Sequence, residues 1–422
     1  MKKTKSVYKA KYICNQEFDD WLIDHCIITE DGIIEEIIPT NTLPENNEKE
    51  ILSYDLGDVF IIPGLIETHA HMHCSATHDA LDILLNETRE QLLLRAYKNL
   101  NKAIYSGVTT LRDIGSRNDI AFPIREAANS NTFTSPKLLI SGTPITITLG
   151  HCYFFGTECD TQESVIKTIR HQVKIGADHI KIMASGGNFT PTSNPREPQY
   201  NFQTIENARK ECERLGVYLA AHTLSTKSTE DCIKAGVHNI IHGRFLSNDP
   251  SEKYGGYNIK VFSDLAKKEL FVEPTIGAEL LRIAAIDKGL PQRKPNWAVK
   301  ESPITTQDTI DQFRKMVSAG VKLTGGLDMG MAYATFDKSA ASAWAMVEFL
   351  GYDPWKAIKT MTQVNAECLR IDRTTGSITP KKSADIISFE NNPISNIRNL
   401  TTTPSDVILA GKLVKRNHEI LN

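Results

Sequence analysis

The 422-residue chain has no CxxC pair, no apolar run of membrane-spanning length, no basic block and no low-complexity tract. Each absence removes a class of function. The eight cysteines are scattered, at 14, 26, 74, 152, 159, 212, 232 and 368, so neither a disulfide framework nor a thiolate zinc site is indicated. They read as reduced thiols of a cytoplasmic protein. The net charge is −3, from 48 basic and 51 acidic residues, and no stripe of Lys or Arg stands out. Nucleic acid is therefore not an expected partner. The start, "MKKTKSVYKAKYICN", is basic but leads into no apolar signal segment, and no membrane association is expected. What remains is 41% hydrophobic and 23% charged, the balance of a globular protein with a substantial core.

The ends and the middle differ in pattern. "WLIDHCIITEDGIIEEIIP" runs apolar, turns at Asp31-Gly32 and runs apolar again, which predicts a hairpin. "GSITPKKSADIISFENNP" and "SDVILAGKLVKR" are strand-like runs punctuated by Gly, Pro and Asn. In the middle, short apolar runs alternate with helical segments such as "ETREQLLLRAYKNLNKAIYSG" and "SVIKTIRHQVKIGA". Eight strands are expected near 65–68, 109–112, 138–141, 179–183, 218–221, 239–241, 271–275 and 322–324. Eight βα units predict an α/β fold, a (β/α)8 TIM barrel over 63–370, with a small β-sandwich domain built from both termini, 1–62 plus 371–422.

Functional residues of such a barrel stand at the C-terminal ends of its strands. The first strand ends in His69-Ala70-His71, and residues two apart on a strand share a face, so two imidazoles can meet one metal. Nearby His73 and His78 read as loop or supporting residues. The fourth strand, "GADHIKIMASGG", carries Lys181 within an apolar run. Such a lysine either snorkels to the rim or loses its proton, and a neutral amine can add carbon dioxide to become an anionic carbamate. The fifth and sixth strands end in His222 and His242, and "AGVKLTGGLDMG" on the eighth supplies Asp328, a ligand, a base or a helix cap. His69, His71, Lys181, His222, His242 and Asp328 thus come from five strand ends. Imidazole and carboxylate suit zinc, with iron, manganese or nickel as alternatives.

These segments resemble the amidohydrolase superfamily across nearly the whole chain. "PGLIETHAH" is similar to its opening motif, with Glu67 in the usual Asp position. "SGVTTLRDIG", "SGTPITITLGHCYFFG", "AGVHNIIHG" and "GSITPKKSADI" resemble the branch of prolidase-like dipeptidases and imidazolonepropionase-related hydrolases, and the strand-four lysine points to members in which it is carboxylated. The resemblance implies that His69, His71 and Asp328 bind one divalent metal, that His222 and His242 bind a second, and that carboxylated Lys181, formed from carbon dioxide or bicarbonate, bridges them. It also implies that His151 contacts the substrate near the reacting carbonyl. Three departures stand out: "AHTL" replaces AHAH or AHAY after strand five, "GGLDMG" replaces GTDAG, and "PKK" at 380–382 replaces PGK. The first removes an aromatic residue that in relatives helps to hold a substrate carboxylate.

The expected activity is hydrolysis of a C–N bond in an amide, a peptide or an N-acyl amino acid, by a metal-bridging hydroxide, with Asp328 moving the proton and His151 facing the oxyanion. The alternatives are aryl amides, carbamates and ureas, or a cyclic amide of imidazolonepropionase type. A deaminase of this superfamily has a glutamate where this chain has Ser225, and a non-catalytic scaffold has lost ligands that are all present here. The turn-rich loop "NFTPTSNPREPQY" makes Arg196 and Tyr200 candidate substrate contacts. A small-molecule substrate and a homo-oligomer are expected.

Overall fold

The computed structural model describes residues 4–43, 51–249, 259–292 and 305–421. Strands from both ends of the chain join in one nine-stranded sheet. The hairpin forms as expected: Trp21–Glu30 pairs antiparallel with Ile33–Pro39. Asp31 (φ 50°) and Gly32 (φ 80°) both adopt the left-handed conformation that a tight two-residue hairpin turn requires. A side chain at Gly32 would meet the Ala410 carbonyl oxygen at 2.2 Å, so this turn is also where the C-terminal strands press against the N-terminal ones. Phe60–Pro63 pairs with Ile386–Phe389 and stitches the two ends together. Tyr8, Ile13, Ile27, Ile61, Ile386 and Ile408 form the core of this β-sandwich.

All eight barrel strands are present, each overlapping its expected position: Leu65–Ala70, Val108–Asp113, Lys137–Ile140, Ile180–Met183, Leu219–His222, Asn239–Ile241, Phe271–Glu273 and Lys322–Leu323. They pair in parallel as two arcs, the first three strands in one and the last five in the other. The arcs meet where Asp178 N donates to Ile140 O (2.9 Å), and where His71 N donates to Met329 O (2.8 Å) and Met329 N to His69 O (2.9 Å). The second junction places His69, His71 and Asp328 side by side. Nearly every strand residue is buried, because helices cover the outer face and side chains fill the inner one. The helix Arg89–Tyr105 starts at a capping box formed by Thr88 and Gln91, and Gln162–Lys174 at one formed by Thr161 and Ser164. Among the described residues no helix is long and apolar enough to cross a membrane. All eight cysteines are buried and free.

Candidate metal centre

The first strand leaves the barrel at Ala70, and hydrogen bonds fix both neighbouring imidazoles. His69 Nδ1 lies 2.6 Å from Glu273 Oε1, and His71 Nδ1 lies 2.8 Å from the Gly115 carbonyl oxygen. Both partners can only accept, so each Nδ1 carries the proton and each Nε2 presents a lone pair. Those lone pairs face the same atom: Asp328 Oδ1 is 3.1 Å from His69 Nε2 and 3.5 Å from His71 Nε2. That oxygen is buried and accepts no hydrogen bond among the described residues. Three electron-rich atoms converging in a buried place repel one another unless a cation sits between them. Without a cation, a proton can stand in: burial alone would lower the His69 pKa, but Asp328 and Glu273 on either side raise it. Burial outweighs Asp328 at His71 and holds it down at about 4. At Asp328 the order reverses. Burial favours the acid form, yet His69, His71 and His242 hold the carboxyl far below the usual range. The donor set fits a divalent ion.

Beside this trio stand His222 and His242, the last residue of the fifth strand and the first after the sixth. Their ring centres are 4.7 Å apart, and His242 is 5.4 Å from His69. His222 Nε2 donates to the Gly186 carbonyl (3.2 Å), so its Nδ1 holds the lone pair. Burial keeps both rings well below the ordinary histidine range, neutral and able to ligate. No third His, Cys, Asp or Glu among the described residues closes with them as tightly as Asp328 closes on His69 and His71. Lys181, 1% exposed, lines the same cavity. Its ammonium makes no hydrogen bond or ion pair among the described residues. Burial pulls it down to about 8 against the opposing pull of Glu273 and Asp328.

Backbone geometry holds the set in place. His242 (φ 63°) and Asp328 (φ 62°) both lie in the left-handed region, a conformation costing roughly 1–3 kcal/mol each for such residues. Gly187 lets the strand-four loop pass the His151 ring, which a Cβ there would approach to 2.4 Å. Gly326 does the same for Glu273, whose carboxyl carbon would lie 2.3 Å from its Cβ. That contact explains a glycine in "GGLDMG".

His151 is buried in the cavity wall with its ring centre 4.4 Å from that of His222. Arg196 also lines the cavity. Tyr200 does not: its ring is packed in the core and its hydroxyl donates to the Cys159 carbonyl (2.9 Å), so the turn-rich loop sets Arg196 at the cavity and Tyr200 away from it. His78 lines the rim, while His73 turns away to Ser116 Oγ (2.8 Å) after the chain bends beyond His71. Three buried groups outside the expected set support the centre. Glu273, at the end of the seventh strand, joins His69 to the Thr68 hydroxyl and to Arg112 Nη2 (3.4 Å). Burial would raise its pKa, but His69 and Arg112 hold it at about 2. Arg112 reaches across the barrel to the Thr68 carbonyl (2.6 Å) and Asn239 Oδ1 (2.7 Å). Glu67 receives the His69 and Leu327 amides and the Ser339 hydroxyl, and burial lifts it to about 8. The metal-side groups open into a cavity of about 650 Å³ whose wall mixes Phe155, Phe189, Met183 and Leu224 with charged residues.

Residues 60–414 match the sequence profile of the amidohydrolase family. The chain belongs to that family. As an amidohydrolase it is a hydrolase, and members of the family generally use divalent metals, in keeping with the His-His-Asp group found here. It is 24% identical over 324 residues to ochratoxinase of Aspergillus niger, a match covering 70% of this chain and 63% of that one, so less than two thirds of the relative is spanned. The same protein's crystal structure superposes with a TM-score of 0.82 at 22% identity, covering 99% of this chain and 97% of that one. A Xaa-Pro dipeptidase with methionine in its active site superposes with a TM-score of 0.84 at 24% identity, over 98% and 100% of the two chains. Molinate hydrolase gives 0.78 at 19% identity, over 98% and 95%. At these identities the superpositions establish the fold.

Proposed function

We propose that this amidohydrolase is a metal-dependent hydrolase of C–N bonds in amides, peptides or N-acyl amino acids. His69, His71 and Asp328 would hold one divalent ion and His222 and His242 a second, zinc in the first instance, with carboxylated Lys181 between them. The observation that carries this reading is the convergence of two Nε2 lone pairs on the buried Asp328 Oδ1. Lys181 supports the bridge: it is buried, makes no ion pair among the described residues, and acts electrostatically on both His222 and His242. Such a pair of ions, when bound, supplies a hydroxide at neutral pH and polarises a carbonyl.

The chain's own residues do the rest. Asp328, held ionised, is placed to take the proton of the attacking water and to hand it to the leaving nitrogen. His151, against His222, is placed to donate to the carbonyl oxygen as that atom gains charge. Phe155, Phe189 and Leu224 exclude bulk water from the wall, which strengthens both interactions. Aryl amides, carbamates and ureas form the second reading, favoured by Leu224 at the cavity wall where an aromatic hydroxyl could have met a carboxylate. A screen of N-acyl amino acids, dipeptides, aryl amides, carbamates and ureas with zinc- and bicarbonate-loaded protein tests the proposal. Metal-dependent turnover in at least one class is expected. No turnover in any class, with metal bound, contradicts it.

A further inference from the structure

We propose that Arg244 is the anion-recognising residue of the cavity and pairs with a free carboxylate on the substrate, which selects N-acyl amino acids and dipeptides over neutral amides, carbamates and ureas; the proposal rests on the C–N hydrolase reading above. Arg244 lies two residues beyond His242 on the same wall. Its backbone N donates to Thr223 O (3.3 Å), and Leu246 N donates to Leu224 O (2.8 Å), so the stretch is tied to the end of the fifth strand. One guanidinium N–H donates to the Thr309 hydroxyl, and the guanidinium carbon stands 5.5 Å above the Phe313 ring. Both partners are neutral.

No carboxylate among the described residues pairs with Arg244. Of the other charged groups at this cavity, Lys181 sits with the metal-side histidines and Arg282 has a partner of its own. Arg282 Nη2 pairs with Glu279 Oε1 at 2.8 Å, and Asp308 accepts from the Thr305 amide (2.9 Å) and hydroxyl (2.8 Å). A guanidinium carries five N–H donors in a rigid fork, and this one is held in orientation by a hydroxyl and a ring, with no counter-ion among the described residues. A planar carboxylate is the ligand that fits a fork. In an N-acyl amino acid the carboxyl carbon is two bonds from the scissile nitrogen, so both groups would enter the cavity that Arg244 and His242 line together. Leu224, next to this stretch, offers no competing donor.

Matched N-benzoyl amino acids, as free acids and as primary carboxamides, test the assignment through benzoate release by the zinc-loaded enzyme. The wild type should prefer the acids. Arg244→Met should lower the acid-to-carboxamide ratio of kcat/KM by about 10- to 100-fold, the worth of a charge-assisted hydrogen-bonded pair. Arg244→Lys, which keeps the charge and loses the fork, should retain part of the preference. Calorimetric binding of the acids to zinc-loaded Asp328→Asn protein, with and without Arg244→Met, gives a readout independent of turnover. Acid binding that depends on Arg244 without benzoate release would uphold the anchor and count against hydrolysis of N-acyl amino acids. Equal losses for acid and carboxamide, no acid preference in either assay, or unchanged acid affinity in the Arg244→Met protein would overturn the anchor.

Discussion

His69 Nδ1 and Glu273 Oε1 form a buried hydrogen bond of 2.6 Å that ties the end of the first barrel strand to the end of the seventh. It fixes the tautomer of His69 and makes its outward nitrogen a better donor to a cation. Glu273→Gln keeps the shape and loses the charge. Metal affinity should fall about 10- to 100-fold, read by competition with a chelator. An unchanged affinity would show that Glu273 serves only Arg112 and the barrel core.

Asp328 is the acid on which two imidazoles converge and the group proposed to carry the proton. Asp328→Asn should reduce kcat by about 100-fold or more, the usual contribution of a positioned general base, while metal remains at His222 and His242. Near-normal turnover in this variant would remove its proton-transfer role.

Gly187 touches the His151 ring so closely that Gly187→Ala must displace one of them. If His151 donates to the reacting carbonyl oxygen, this methyl group should cost about 100-fold in kcat with little change in the thermal midpoint. A loss confined to KM would place His151 in ground-state binding instead.

His238 sits at the far end of the barrel, with Nε2 2.8 Å from the Cys368 carbonyl and its ring beside Tyr218, and burial lowers its pKa to about 4. The unfolded chain takes up a proton near the ordinary value, about 6.5, that the folded protein refuses until about 4. Its contribution is therefore intact above the unfolded value, is lost as the pH falls between these two points, and is level below them. Urea unfolding between pH 7.5 and 5 should show a shallower decline for His238→Gln than for the wild type. Parallel declines would contradict the assignment.

The eight strands were legible because parallel strands buried on both faces read as apolar runs, and the six candidate ligands because each interrupts or ends such a run. Glu273 interrupts "LFVEPT" in the same way. Its importance lies in partners 161 to 205 residues away, Arg112, His69 and Thr68, which nothing local announces. Tyr200 shows the converse. A turn-rich loop beside a site suggests contact, but the direction of one ring depends on whether a carbonyl such as that of Cys159 waits for its hydroxyl. Arg244 likewise looks like any strand-end arginine until the absence of a carboxylate beside it is seen among the described residues.

In the proposed metal centre, four strand ends supply the histidines and Asp328, and Lys181 from a fifth completes the set. Metal analysis of protein produced with zinc and bicarbonate tests it most directly. The wild type should hold about two divalent ions per chain, falling to about one or fewer in Lys181→Ala. Protein that retains no divalent metal under these conditions, or a Lys181→Ala variant that retains the full complement, would contradict it.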